Sequence, residues 1–325
     1  MKVLVTGASG FLGHNLIKYL LKEECEIRAL ITQDDDACLL EFCRQKIEIV
    51  RGDIRNAQDV EKAVEGCDIV FHLVGMIAYW KKLNDLQYDI NVNGSRNVAQ
   101  SCIKHKIKKL VYVSSTAACG VLPKGLADED TVYNLFPYKL GYCDSKFLAE
   151  HEILKAGAKG VDVSIICPGS MYGAGDVRRI KSDMIFNFHF PFSLTFFDGN
   201  LAVADVEDVC RALIAAWKKG GPGERYIIVS ENLSFFELRS IIAKALGKSM
   251  PFVRLPSWLI TALGYLLEFA GDEKKPKVTP EMGRITTINF SFSNKKSKKE
   301  LNMRYTPFAK TIEKQVEWYR TNGYL

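Results

Sequence analysis

Residues 2–13, KVLVTGASGFLG, constrain what this chain can fold into more than any other stretch. A short apolar run from Val3 to Val5 leads directly into Gly7, Gly10 and Gly13, and Leu16, Ile17, Leu20 and Leu21 then recur at helical spacing. The implied order is strand, glycine turn, helix. In such a turn the first glycine permits a tight bend, the second lets a pyrophosphate approach the main chain, and the third lets the helix pack close to the strand. The helix then aims unpaired amides and the positive end of its dipole at the phosphates.

With 325 residues, 47% of them hydrophobic, the chain can bury one large core or two joined ones. Its net charge of +6 is spread out, and the cluster Lys295, Lys296, Lys298 and Lys299 reads as a solvated helix turn, so no nucleic-acid partner is expected. Nine cysteines without a CxxC pair point to reduced, mostly buried thiols and a cytoplasmic setting. The first strand begins at residue 2, which leaves no room for a cleavable leader. One apolar stretch, Leu255 to Ala270, contains Pro256 and Glu268 and falls short of the roughly 20 residues of a bilayer span. It reads as a buried helix rather than a transmembrane or peripheral membrane segment. Repeats and metal-ligand clusters are absent from the sequence.

Strand and helix patterns alternate through the first half. Strands are expected at 26–31, 47–50, 69–74, 110–115 and 161–167, with a short helix at 57–64. This alternation predicts an α/β fold with a doubly wound parallel sheet, whose ligands gather at the carboxyl ends of the strands. An acidic residue ending the second strand would take ribose hydroxyls, and a nearby Arg would take an extra phosphate. Here Thr32 and Gln33 end the strand and Asp34 to Asp36 follow, while Arg28 lies within it, so NAD and NADP both remain open. His72, inside an apolar run, reads as a packed core residue.

Tyr142 and Lys146 stand four apart in a helical stretch and share one face. An ammonium near a phenol stabilises the phenolate and pulls its pKa down toward working pH, making the tyrosine an acid or base for a substrate oxygen. Of thirteen tyrosines only Tyr142 has a lysine four residues on. Ser114, Ser115 and Thr116 close the fifth strand and offer hydroxyls at its carboxyl end.

TGASGFLG at 6–13, SST at 114–116, the Tyr142/Lys146 pair and PGSMYG at 168–173 together resemble the extended short-chain dehydrogenase/reductase superfamily. Within it the chain is similar to the NAD-dependent epimerase/dehydratase group containing dihydroflavonol 4-reductases, 3β-hydroxysteroid dehydrogenases and hopanoid-associated sugar epimerase-like proteins. The resemblance implies a Rossmann fold, a nicotinamide cofactor, NAD(P)(H), and a catalytic triad of Thr116, Tyr142 and Lys146, with Ser115 as the fallback for Thr116. Lys146 would bind the nicotinamide ribose. Gly7, Ser9, Gly10, Phe11, Leu12 and Gly13 would cradle the cofactor, Arg28 or Thr32 would sit near its ribose, and Asp53 and Ile54 would meet the adenine. Leu73, Val74 and Gly75 would line it, and Pro168, Gly169, Ser170 and Met171 would flank the nicotinamide.

The division expected is a dinucleotide-binding domain at 1–170 and 201–222 and a smaller substrate lobe at 171–200 and 223–325. Six phenylalanines between Phe186 and Phe197 mark either plain core or an apolar pocket wall, with Phe188, Tyr79, Trp80 and Tyr172 as substrate contacts. Arg178 and Arg179 are either solvated charges or holders of a diphosphate. The reading is an oxidoreductase working on a carbonyl or alcohol of an apolar small molecule. The alternative is a sugar-nucleotide epimerase or dehydratase with the same triad. Either a monomer or a homodimer is compatible with this reading.

Overall fold

The computed structural model describes residues 1–35, 37–177, 195–270 and 278–325. Its centre is a seven-stranded parallel sheet. Six strands come from the first half: β1 (Lys2–Thr6), β2 (Glu26–Ile31), β3 (Glu48–Arg51), β4 (Ile69–His72), β5 (Lys109–Val113) and β6 (Asp162–Pro168). They are ordered β6-β5-β4-β1-β2-β3, and the strand Glu224–Ile228 adds to the outer side of β6. β4 and β5 are buried at every residue, as a parallel sheet covered on both faces requires.

Helices α1 (Phe11–Leu20), α2 (Ala57–Val64), α3 (Asn84–Tyr88), α4 (Gly94–Lys104) and α5 (Gly141–Gly157) connect these strands. Residues of α2, α4 and α5 build the core on one face of the sheet, and α1 joins the helix Val206–Lys219 on the other. A π-helical turn at Asp89–Asn93 links α3 to α4 and interrupts the single helix implied by the spacing of Tyr88, Val92, Ser95 and Ala99. Later helices begin where the sequence signals them. Asp205 caps Val206–Lys219, Ser234 and Glu237 form a capping box on Phe235–Leu246, and Phe308–Thr321 follows Pro307.

A second sheet lies at the carboxyl end of the first. Its strand Asn200–Asp205 pairs with Ser170–Tyr172, Glu231–Ser234 and Asn289–Phe290. The boundary expected at residue 222 does not follow the sheets, because Glu224–Ile228 belongs to the large one. The run Tyr226, Ile227 and Ile228 is at most 1% exposed, and only a place beside β6 buries it on both faces. Ser297, in the helix Lys295–Glu300, donates to the Ile227 carbonyl at 2.7 Å, and Leu301 and Met303 enter the core beside it.

The helix Ser257–Ala270 departs from the expectation of a buried helix. Its inner side crosses the helix Pro280–Ile285 at glycines: a Cβ on Gly264 would lie 2.4 Å from the Thr279 carbonyl carbon, and one on Gly283 would lie 2.3 Å from Thr261 Oγ1. Its outer side is open, with Trp258, Leu259, Leu263, Tyr265, Leu266 and Phe269 exposed. Among the described residues no helix is long and apolar enough to cross a membrane. None of the nine cysteines is in a disulfide, and seven of them are buried.

Candidate active site

A cavity of about 440 Å³ opens at the carboxyl ends of the parallel strands. Its floor is the glycine turn. Gly7 adopts φ +68°, the left-handed region that favours glycine, and donates to the Leu30 carbonyl at 3.1 Å; a Cβ there would lie 3.2 Å from Val74 Cγ2. A Cβ on Gly13 would fall 2.2 Å from the Gly7 carbonyl oxygen, so the third glycine is what lets α1 meet the turn. No side chain caps the first amides of α1. Ser9, Gly10, Phe11 and Leu12 line the same floor, and Leu73, Val74 and Gly75 line the wall behind it.

At one end the cavity is bounded by Thr32, Asp35, Asp53, Ile54 and Arg55. Ser9 donates to Asp35 at 2.6 Å. Arg51 holds the loop in place by donating to the carbonyls of Thr32, Gln33 and Asp35 at 3.1, 2.8 and 2.6 Å. Asp53 chelates Arg55, whose hydrogen bonds keep its carboxyl below the usual carboxylate range. Arg28, expected as a phosphate partner, is turned away: it donates to Glu48 at 3.0 Å and to the carbonyls of Ala63 and Glu65 at 2.8 and 2.7 Å. The exposed carbonyls at the end of α2 capture its guanidinium. Asp35 is the residue that sequence reasoning passed over here, seen only as one of three repelling charges.

At the other end stand Ser115, Thr116 and Tyr142. Burial pushes the Tyr142 phenol up to about 12, and a hydrogen bond with Ser115 works against that. Ser115 and Thr116 both line this end beside Tyr142, and Ser115 also caps the single helical turn that Thr116 opens. Lys146 lies just behind Gly75, 3.6 Å from where a Cβ there would be. Its ammonium donates to the Tyr112 hydroxyl at 2.8 Å and the Val113 carbonyl at 2.7 Å. The expected lowering of the Tyr142 pKa by Lys146 is thus not what sets the phenol in this state; burial is. His72 is packed as expected: it bonds Thr6 and Ser95, and burial drives it down to about 3.

Pro168, Gly169, Ser170 and Met171 close one side of this end. The remaining wall is apolar, formed by Ile77, Tyr79, Leu201, Ile285 and Phe290, and the Tyr79 ring meets Tyr142 edge-on at 5.8 Å. Thr279 ties the helix Pro280–Ile285 to this wall by donating to the Tyr79 carbonyl at 2.5 Å. Two expected substrate contacts are elsewhere. Trp80 is buried beside Lys82, outside the cavity, and Tyr172 packs edge-on against Phe308. Phe188, Arg178 and Arg179 lie outside the described residues.

The donor set fits a dinucleotide: the glycine turn leaves its main chain bare, with a Cβ excluded outright at Gly13, and no side chain caps the first amides of α1 beside it. Comparison with known proteins agrees. A profile of the NAD dependent epimerase/dehydratase family matches residues 3–228. Sterol demethylase protein B of Methylococcus capsulatus is 26% identical, with all of both chains covered. The 3β-hydroxysteroid-dehydrogenase/decarboxylase isoform 1 of Arabidopsis thaliana is 29% identical over 94% of this chain and 75% of its own length. Among solved structures, DesIV, a dTDP-glucose 4,6-dehydratase from Streptomyces venezuelae with NAD and TYD bound, superposes with a TM-score of 0.80. It is 20% identical, with 99% of this chain and 98% of that one covered.

Proposed function

Because the chain belongs to the NAD dependent epimerase/dehydratase family, we propose that it is an NAD-dependent oxidoreductase acting on a carbonyl or alcohol carbon of a flat, largely apolar small molecule. The observation that carries this reading is Tyr142 with Ser115 and Thr116 set against an apolar wall, in one cavity with a glycine cradle. Bound NAD supplies the capacity to accept or donate a hydride. The Gly7–Gly13 turn and the α1 amides would hold its pyrophosphate, Leu73 to Gly75 and Pro168 to Met171 would flank it, and Lys146, behind Gly75, would bind its ribose. Tyr142 gives a proton to the substrate oxygen in reduction and receives it in oxidation, and Ser115 orients that oxygen.

Asp35 would favour NAD: its carboxylate, bonded to Ser9 at the end of the cavity that Thr32 lines, could accept from a ribose hydroxyl, and an additional phosphate there would meet like charge. Among the described lining residues the one cation is Arg55, already held by Asp53. The free cysteines support a reducing, cytoplasmic setting. A homodimer would join through α4 and α5, and sedimentation separates it from a monomer.

The test follows cofactor absorbance with NADH and NAD against steroid ketones, aromatic ketones and sugar nucleotides. Stoichiometric consumption of NADH with an apolar ketone is expected, reduced at least about a hundredfold by Tyr142→Phe with cofactor affinity kept. Conversion of a sugar nucleotide without net cofactor change would overturn the reading.

A further inference from the structure

The row of ionisable groups on α5 does not stop at Lys146. Tyr142, Lys146 and Glu150 recur every four residues and so share one face of the helix. Lys146 is 3% exposed, and its two hydrogen-bond acceptors, the Tyr112 hydroxyl and the Val113 carbonyl, carry no charge. The titratable groups around it are Tyr112 on β5, His72 stacked on Tyr112 from β4, Cys167 on β6, and Tyr142 and Glu150 on its own helix. Burial keeps His72 neutral, and Cys119 and burial together keep the Cys167 thiol protonated. Glu150 is the one carboxylate among the described residues that acts on Lys146.

Glu150 is also 3% exposed and is fixed on both oxygens. Oε1 accepts from Ser114 Oγ and, at 3.7 Å, from Cys167 Sγ, and Oε2 forms an ion pair with Arg225 Nε at 3.2 Å. Arg225, on the strand added beside β6, donates to the Ala118 carbonyl and Cys119 Sγ at 3.2 Å each. The result is a buried line of alternating character running from the cavity to the sheet edge: phenol, ammonium, carboxylate, guanidinium.

We propose that Glu150, ion-paired with Arg225, is a positioning residue that favours the ammonium form of Lys146, which Tyr112 and Val113 hold ready for the cofactor. A buried lysine with neutral partners loses its proton easily, and burial already brings Lys146 down to about 8. Glu150 acts in the opposite sense, while burial raises its own carboxyl and Arg225 pulls it back. The consequence for catalysis rests on the oxidoreductase reading, but the charge state of Lys146 is observable without it.

The test is an NMR pH titration of protein carrying 13C-labelled lysine, with the Lys146 Cε signal assigned by its loss in Lys146→Arg. In Glu150→Gln the Lys146 midpoint falls by about one unit or more, the range for a lost opposite charge at close quarters. Glu150→Asp recovers part of the shift. Because Glu150→Gln strands a buried Arg225 and can cost the fold, the double variant Glu150→Gln with Arg225→Met carries the same measurement with both charges gone. A midpoint unchanged in the folded variants overturns the proposal. Failure of NADH-dependent turnover with every substrate would instead overturn the oxidoreductase reading and leave this titration standing.

Discussion

Replacing Gly13 with Ala tests whether the glycine turn is a close-packed cradle or an ordinary bend. The added methyl carbon would lie 2.2 Å from the Gly7 carbonyl oxygen, 2.6 Å from that of Ala8 and 2.7 Å from Ala8 Cα. Ordinary contact would require roughly 1 Å more, and all three obstacles are backbone. The turn cannot yield freely, since Gly7 is bonded to Leu30 and Gly10 is bonded to Gly7 at 3.0 Å. Helix α1 must move instead. Overpacking of this kind costs about 1–3 kcal/mol, and a strained hydrogen bond in the turn adds about 1 kcal/mol. We expect Gly13→Ala to lose about 2–4 kcal/mol in urea unfolding and to bind NAD at least about tenfold more weakly by calorimetry. Gly157, in the last turn of α5, is the control: there a Cβ would make only a 3.7 Å contact with Val163, and Ala should be neutral or stabilising by up to about 1 kcal/mol. Equal effects at the two positions, or Gly13→Ala with native stability and NAD affinity, would refute the packing argument.

Asp35→Ser removes both a charged acceptor for a ribose hydroxyl and a like charge for a phosphate, so the NAD-to-NADP affinity ratio should fall about a hundredfold in parallel calorimetric titrations. An unchanged ratio would place cofactor choice elsewhere. Glu281, 3% exposed with one carboxyl oxygen unpartnered, is pushed by burial up to about 7. Its folded-state pKa lies above the unfolded value, so the native state holds the proton more tightly. The group's stabilising contribution is full below about 4.5 and is lost as pH rises toward 7. Glu281→Gln should flatten that part of the stability profile, by about 2 kcal/mol across the window, when unfolding is followed at pH 5, 6, 7 and 8.

Most of the first half was legible because its signals are local. Helix α2 spans the residues its pattern implies, the glycine turn opens α1, and α5 carries Tyr142 and Lys146 on one face. What sequence could not resolve was parity: which of two neighbours along an extended segment faces the cavity. Tyr79 rather than Trp80 lines the wall, and Met171 rather than Tyr172 does so, whereas Ser115 and Thr116 both reach the cavity beside Tyr142. In extended chain successive side chains point opposite ways, so a one-residue phase reverses every assignment. Asp35 was hidden for another reason. It reaches the cavity through an irregular loop stapled by Arg51 and followed by Ala37 at φ +58°, and no pattern announces such a bend. The outer face of Ser257–Ala270 escaped because apolar spacing records what a helix offers, not what covers it.

The strand Glu224–Ile228 gives this enzyme a particular biosynthetic history. As the chain leaves the ribosome, β6 emerges with its flank unpaired, and the strand that covers that flank lies more than fifty residues further on. The helix Lys295–Glu300, which seals the new edge, comes later still. Until then the nascent sheet exposes an apolar parallel edge of the kind that recruits other strands. A fragment cut at residue 222 would keep the whole glycine cradle and yet remain sticky. The nucleotide half therefore cannot be harvested as a free-standing module, and its final closure waits for the end of the chain.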